Sequence, residues 1–88
     1  MWVDQRDYQI VGNVLADARA QAGLTQQQLA QQLGKPQSFV SNYERGQRRL
    51  DVLELLAVLD VLEAEPRKVF SDILARLRAS RVRLQVRR

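Results

Sequence analysis

The twenty-three residues from Leu24 to Gly46, LTQQQLAQQLGKPQSFVSNYERG, constrain this chain more than any other stretch. Thr25 is a good helix N-cap, and Gln28 stands three residues later, where its amide can reach back to the cap's own N–H. Leu24 and Leu29 flank that pair at the spacing of a hydrophobic staple, which fixes the entry of the chain into the helix. Leu29, Ala30 and Leu33 form one apolar stripe, and Gly34 offers the left-handed conformation that ends a helix. Pro36 suits the first turn of a second helix, whose buried stripe would be Phe39, Val40 and Tyr43, and Gly46 ends it. Two short helices are therefore joined by a turn too brief to let them lie antiparallel.

Counted from Gln26, Ala30 falls fifth, Gly34 ninth, Val40 fifteenth and Tyr43 eighteenth. A small residue at Ala30 lets the second helix approach the first, Gly34 makes the turn, and Val40 and Tyr43 pin the second helix to a core. This pattern, with GLTQ at its opening, LA, LG, SFVSNYERG and the following RR, resembles the helix-turn-helix of the Cro/cI-like (xenobiotic-response-element) transcription regulators, over roughly Val11 to Phe70. The resemblance implies an all-α, five-helix phage-repressor-like domain. Leu50 stands where that family often has proline, Glu63 where it often has glycine, and Pro36 where it usually has a Ser or Thr cap.

Composition narrows the chemistry. The 88 residues include no cysteine and no histidine, which removes disulfides, thiolate metal sites, the usual general base and the commonest metal ligand. An enzyme is not expected, nor a metal or cofactor. No apolar run is long enough for a membrane span and MWVDQRD does not resemble a signal peptide, so a cytoplasmic chain without a membrane partner is expected. The net charge of +4 is unevenly placed: residues 1–75 carry eight Lys or Arg against ten acids, whereas residues 76–88 carry six Arg and no acid. Within the domain the positive charge is local, with Lys35, Arg45, Arg48 and Arg49 set against Glu44, and a DNA-reading face needs such a patch more than a basic average.

In chain order, residues 1–7 are expected as an N-terminal arm with Asp7 as a weak cap, and Trp2 either folds back on the core or anchors an interface. The domain proper spans residues 8–79. Its first helix runs from about Tyr8 to Ala22 on a stripe of Val11, Val14, Leu15, Ala18 and Ala22, with Gly12 weakening its first turn and Gly23 stopping it. A fourth helix runs from its cap Asp51 to about Glu63 on Val52, Leu55, Val58, Leu59 and Leu62, and a fifth from Pro66 to about Ala79 on Val69, Phe70, Ile73, Leu74 and Leu77. Leu53 and Leu56 add a second apolar edge, and such surplus points to a partner. Leu53, Leu56, Phe70, Leu74 and Leu77 are the dimer candidates. At residues 80–88, the basic C-terminal tail, Val82, Leu84 and Val86 alternate with polar residues as in a strand; pairing across a dimer axis, a fraying helix and a disordered tail all remain open.

Helical geometry puts Gln37, Ser38, Ser41 and Asn42 opposite Val40 and Tyr43. Gln37 and Asn42 carry the paired donor and acceptor that suit adenine. The resemblance makes Gln37, Ser38 and Asn42 base readers in the major groove, with Phe39 either packing inward or, as the family position suggests, touching a thymine methyl. Phosphate contacts are expected from Gln26 at a helix N-terminus, from Ser41, and from Lys35, Arg45, Arg48 and Arg49. The resemblance also implies an Arg19–Glu44 pair clamping the first helix to the third. The expected function is a DNA-binding regulator that binds a palindromic operator as a homodimer and represses transcription. The alternatives are an antitoxin whose tail binds a toxin while the domain autoregulates its operon, and a protein-interaction module that does not bind DNA.

Overall fold

The structure, a computed structural model, describes the backbone of residues 3–86 and the side chains of residues 3–81. The expectations for Trp2, Arg87 and Arg88 lie outside it. Five helices follow in order: α1 (Gln5–Gln21), α2 (Gln26–Leu33), α3 (Gln37–Glu44), α4 (Val52–Leu62) and α5 (Pro66–Val86).

Three of them begin with the same reciprocal cap. Thr25 accepts from the Gln28 N–H while Gln28 accepts from the Thr25 N–H, and Asp51 and Glu54 repeat the arrangement at α4. The third instance corrects an expectation. Asp7 does not cap α1; Asp4 does, accepting from the N–H groups of Arg6 and Asp7, while the Asp7 carboxylate takes the Asp4 N–H. The helix therefore starts at Gln5 rather than Tyr8, and most of the expected arm is its first turn. At α3 the cap position is Pro36 itself, extended and without a side-chain acceptor, rather than a residue of the first helical turn.

The first four helices close alike. The closing residue takes a positive φ, and the next N–H reaches back five residues: Leu24 to Arg19 O, Lys35 to Ala30 O, Gln47 to Asn42 O and Ala64 to Leu59 O. Glycine fills this place at 23, 34 and 46, but at α4 it is Glu63, held at φ 54°. A side chain there is strained by about 1 kcal/mol.

The core joins all five helices: Val14 and Leu15 from α1, Leu29 and Ala30 from α2, Val40 and Tyr43 from α3, Val58, Leu59 and Leu62 from α4, and Val69 from α5. Two expected core members are not in it. Val52, in the first turn of α4, is 67% exposed, and Ala22 at the end of α1 is exposed as well. Of the α5 stripe, Val69 and Ile73 pack inward while Phe70 and Leu74 remain on the surface.

The alternating pattern after Ser80 does not produce a strand; α5 stays helical through Val86. Among the described residues there is no strand for such a segment to pair with, whereas a helix satisfies its own backbone. Arginine and glutamine are also good helix formers. α5 packs along α1, tied by Arg76 to Asp17 at 2.9 Å and by Arg81 to Asp7 at 3.5 Å.

Candidate nucleic-acid interface

The short turn between α2 and α3 fixes where the α3 side chains point. Gly34 at φ 69° lets Lys35 turn back onto the Ala30 carbonyl, and Ala30, almost fully buried, leaves room for α3 to pack against α2. Val40 and Tyr43 anchor α3 inward, which leaves Gln37 and Ser38 exposed and Ser41 and Asn42 half-buried at its outer side.

A polar chain runs from the core to that outer face. Glu44 is 7% exposed and accepts three charged or polar donors. Arg19 Nε donates to its Oε2 at 2.7 Å, Arg19 Nη2 to its Oε1 at 3.1 Å, and Gln26 Nε2 to the same Oε1 at 2.9 Å. The Gln26 side-chain Oε1 then accepts from Gln37 Nε2 at 3.4 Å. Arg19 also donates to the Leu24 carbonyl at 2.9 Å, so one guanidinium joins α1, the entry to α2, and α3. The Glu44 hydrogen bond raises the Arg19 pKa above its usual value. Gln26, expected to meet a phosphate at the N-terminus of α2, has its side chain engaged on both sides within the protein.

The other expected site residues fall into two groups. Lys35, Arg45 and Arg49 are exposed: Arg45 Nη2 donates to Asn42 Oδ1 at 2.8 Å, and the Arg49 guanidinium lies 5.6 Å from the Tyr8 ring centroid. Arg48 is differently placed. Its guanidinium donates to both Glu54 oxygens, at 3.2 and 2.9 Å, and to the Arg49 carbonyl, and it covers the Phe39 ring at 4.5 Å. That bond holds the Glu54 carboxyl below the usual carboxylate range. Phe39 in turn meets Tyr43 edge-on at 5.7 Å, so most of the ring's surroundings are intramolecular. The Tyr43 hydroxyl is buried and unpaired, and desolvation pushes its pKa up.

Three further residues position the site, and the sequence reading missed them. Gln5 Nε2 donates to the Gly46 carbonyl at 2.7 Å and Gln9 Nε2 to the Glu44 carbonyl at 3.0 Å, tying the last carbonyl of α3 and the turn after it to α1. Between them and Arg19, Gly12 lets the two helices touch: a Cβ there would stand 2.4 Å from the Glu44 carbonyl oxygen and 2.6 Å from that of Tyr43. Only the departure of Gly12 from good helix composition hinted at this.

This geometry, two short helices with an outward polar face on the second, agrees with the family comparison: a helix-turn-helix family model matches residues 15–69. The chain belongs to the Cro/cI-like, XRE-family helix-turn-helix regulators. It is a DNA-binding transcriptional regulator, and not an enzyme. An XRE-family-like protein from Pseudomonas syringae pv. tomato is 41% identical, with 80% of this chain and 85% of that one aligned at a TM-score of 0.70. The clp gene regulator ClgR from Corynebacterium glutamicum is similar at 25% identity, with 78% of this chain and 88% of that one aligned at a TM-score of 0.73. A second ClgR structure, at 21% identity, shares the fold over 91% of this chain and 85% of its own, with a TM-score of 0.79. No curated protein matches the chain. Among the described residues no helix is long and apolar enough to cross a membrane.

Proposed function

We propose that this regulator binds a palindromic operator as a homodimer and represses transcription, with α3 lying in the major groove. The observation that carries the proposal is the chain of contacts from Arg19 through Glu44 and Gln26 to Gln37, which holds an exposed amide in one orientation at the head of α3. A carboxamide so held suits bidentate pairing with adenine N6 and N7. Gln37, Ser38 and Asn42 read bases, and the partial exposure of Phe39 leaves one edge for a thymine methyl. Lys35, Ser41, Arg45 and Arg49 meet phosphates, together with the N-terminal backbone of α2 at Gln26. Arg48, paired to Glu54, acts mainly by shaping the loop that carries Arg45 and Arg49.

One such module buries too little surface for tight specific binding, so two half-sites about one helical turn apart are expected. The exposed Leu53, Leu56, Phe70 and Leu74, with half-buried Leu77, supply apolar surface for the second subunit. Selection of bound duplexes from a random library tests the proposal. A two-fold symmetric consensus supports it, and enrichment of no sequence overturns it. With about four phosphates neutralised per subunit, the logarithm of affinity falls against that of salt with a slope near −7.

A further inference from the structure

Resting on the assignment of Phe39 to a thymine methyl, we infer that Arg48 is a positioning residue for base reading: braced by Glu54, it holds the Phe39 ring at the angle from which one ring edge meets the methyl. Phe39 is half-buried on α3, and neighbours from three segments bound its ring. Tyr43, one turn on, meets it edge-on, with centroids 5.7 Å apart and planes at 80°. From the α3–α4 loop the Arg48 guanidinium carbon lies over the ring, 4.5 Å from its centroid, and from the α2–α3 turn Lys35 Nζ lies over it at 5.7 Å. Both fall within the roughly 6 Å over which a cation is drawn to an aromatic face. A face covered by a guanidinium is closed to a base, so what the ring offers outward is an edge.

The brace is what gives Arg48 this role. Its Nη1 and Nη2 donate to Glu54 Oε1 and Oε2 at 3.2 and 2.9 Å, and Nη1 donates to the Arg49 carbonyl at 2.7 Å. Glu54 is itself fixed: its Oε1 accepts the Asp51 N–H at 3.0 Å, and its own N–H donates to Asp51 Oδ1 at 2.7 Å. The first turn of α4 therefore sets the plane of the guanidinium, and the guanidinium sets the ring. With its charge matched by Glu54 and three hydrogen bonds made inside the protein, Arg48 is better placed to hold a neighbour than to grip a phosphate. An edge already held loses less freedom when it meets its target, so readout of a methyl gains from the brace. Phosphate contacts set register and base contacts set sequence; Arg48 acts on the second without touching DNA.

The test uses the full chain and the duplex selected from the random library, with each thymine of one half-site replaced in turn by deoxyuridine, which removes only the methyl group. The intact chain should bind one such duplex about four-fold more weakly, the worth of one buried methyl. Phe39→Ala should erase that difference, which assigns the position to Phe39. Arg48→Lys keeps the charge but not the planar fork. It should shrink the same difference to less than about two-fold, while the salt slope and the preferences at other positions stay as they are. Glu54→Gln, whose amide oxygen still accepts the Asp51 N–H, should shrink it in the same direction. An undiminished difference in Arg48→Lys overturns the inference. So does an Arg48→Gln chain that keeps the difference but loses about 2 from the magnitude of the salt slope, one contact per subunit in a dimer, because Arg48 then holds a phosphate. Tolerance of uracil at every position by the intact chain, or an unchanged difference in Phe39→Ala, overturns the methyl assignment and the inference with it.

Discussion

At the scale of residues, Glu44 decides most. A buried carboxylate is tolerated only when donors surround it, and Arg19 supplies two of the three it has. Arg19→Ala would leave that charge with only the Gln26 amide, at a cost of about 2–4 kcal/mol. Thermal denaturation should show the midpoint falling by roughly 10 °C or more. A shift of less than about 2 °C would mean the pair is effectively solvated and worth no more than a surface bridge. Gln37 lies at the far end of the same chain and is exposed, so its truncation should behave differently. Gln37→Ala should leave the melting midpoint unchanged while weakening the selected duplex by about 1–3 kcal/mol, with selectivity relaxed at one or two base pairs. Binding to duplexes altered at each position in turn reads this directly.

At the scale of elements, the helix ends carry testable energy. Glu63 holds a left-handed closure in which three glycines serve elsewhere, so Glu63→Gly should relieve about 1 kcal/mol of strain and lose part of that to a freer unfolded chain. A net rise in melting temperature of roughly 2–6 °C is expected; a fall would show that the Glu63 side chain contributes a contact outweighing its backbone. The α4 cap has a pH signature. Arg48 holds the Glu54 pKa below its ordinary 4.5, so the bond stabilises the fold above that value and is lost as pH falls through the depressed one. In urea titrations from pH 6 to 3, the gap between the native chain and Glu54→Gln should narrow below about pH 4.5. A constant gap would place the effect in the cap's shape and not in its charge.

These ends also mark what could be read from sequence. Thr25 with Gln28, and Asp51 with Glu54, are local pairs whose partners lie three residues away, so their chemistry is visible in the chain. Asp4 was missed because Asp7, three residues on, is equally good cap chemistry and is in fact its reciprocal partner. Gly12, Gln5 and Gln9 were illegible for a different reason: their roles are imposed by carbonyls more than thirty residues away. Gly12→Ala should therefore cost about 3 kcal/mol or more by forcing α1 from α3, although alanine is the better helix former. After Ser80 the alternation of apolar and polar residues was real, but a period of two means a strand only where another strand exists to pair with.

At the scale of the whole molecule, apolar surface is left over that the fold does not use. Leu53 on α4 is 78% exposed, and Phe70 and Leu74, four residues apart and hence neighbours on one face of α5, are 45% and 46% exposed. Water-facing leucines scattered singly need no explanation, but a pair in helical register on one face of α5 is a cost unless something covers it. A second subunit is the occupant that the proposed palindromic operator would also require, since two-fold operators are read by two-fold proteins. Phe70→Glu combined with Leu74→Glu places like charges across such an axis without touching Val69 or Ile73, the inward pair of the same helix. The variant should keep its melting temperature within a few degrees, sediment as a monomer at micromolar concentration, and bind an isolated half-site as before. Its affinity for the full operator should drop on the order of 10²-fold, because the second half-site no longer benefits from linkage to the first. Should it sediment and bind like the native chain, the axis must run along the other edge, and Leu53→Glu with Leu56→Glu should then produce the same separation of full-site from half-site affinity.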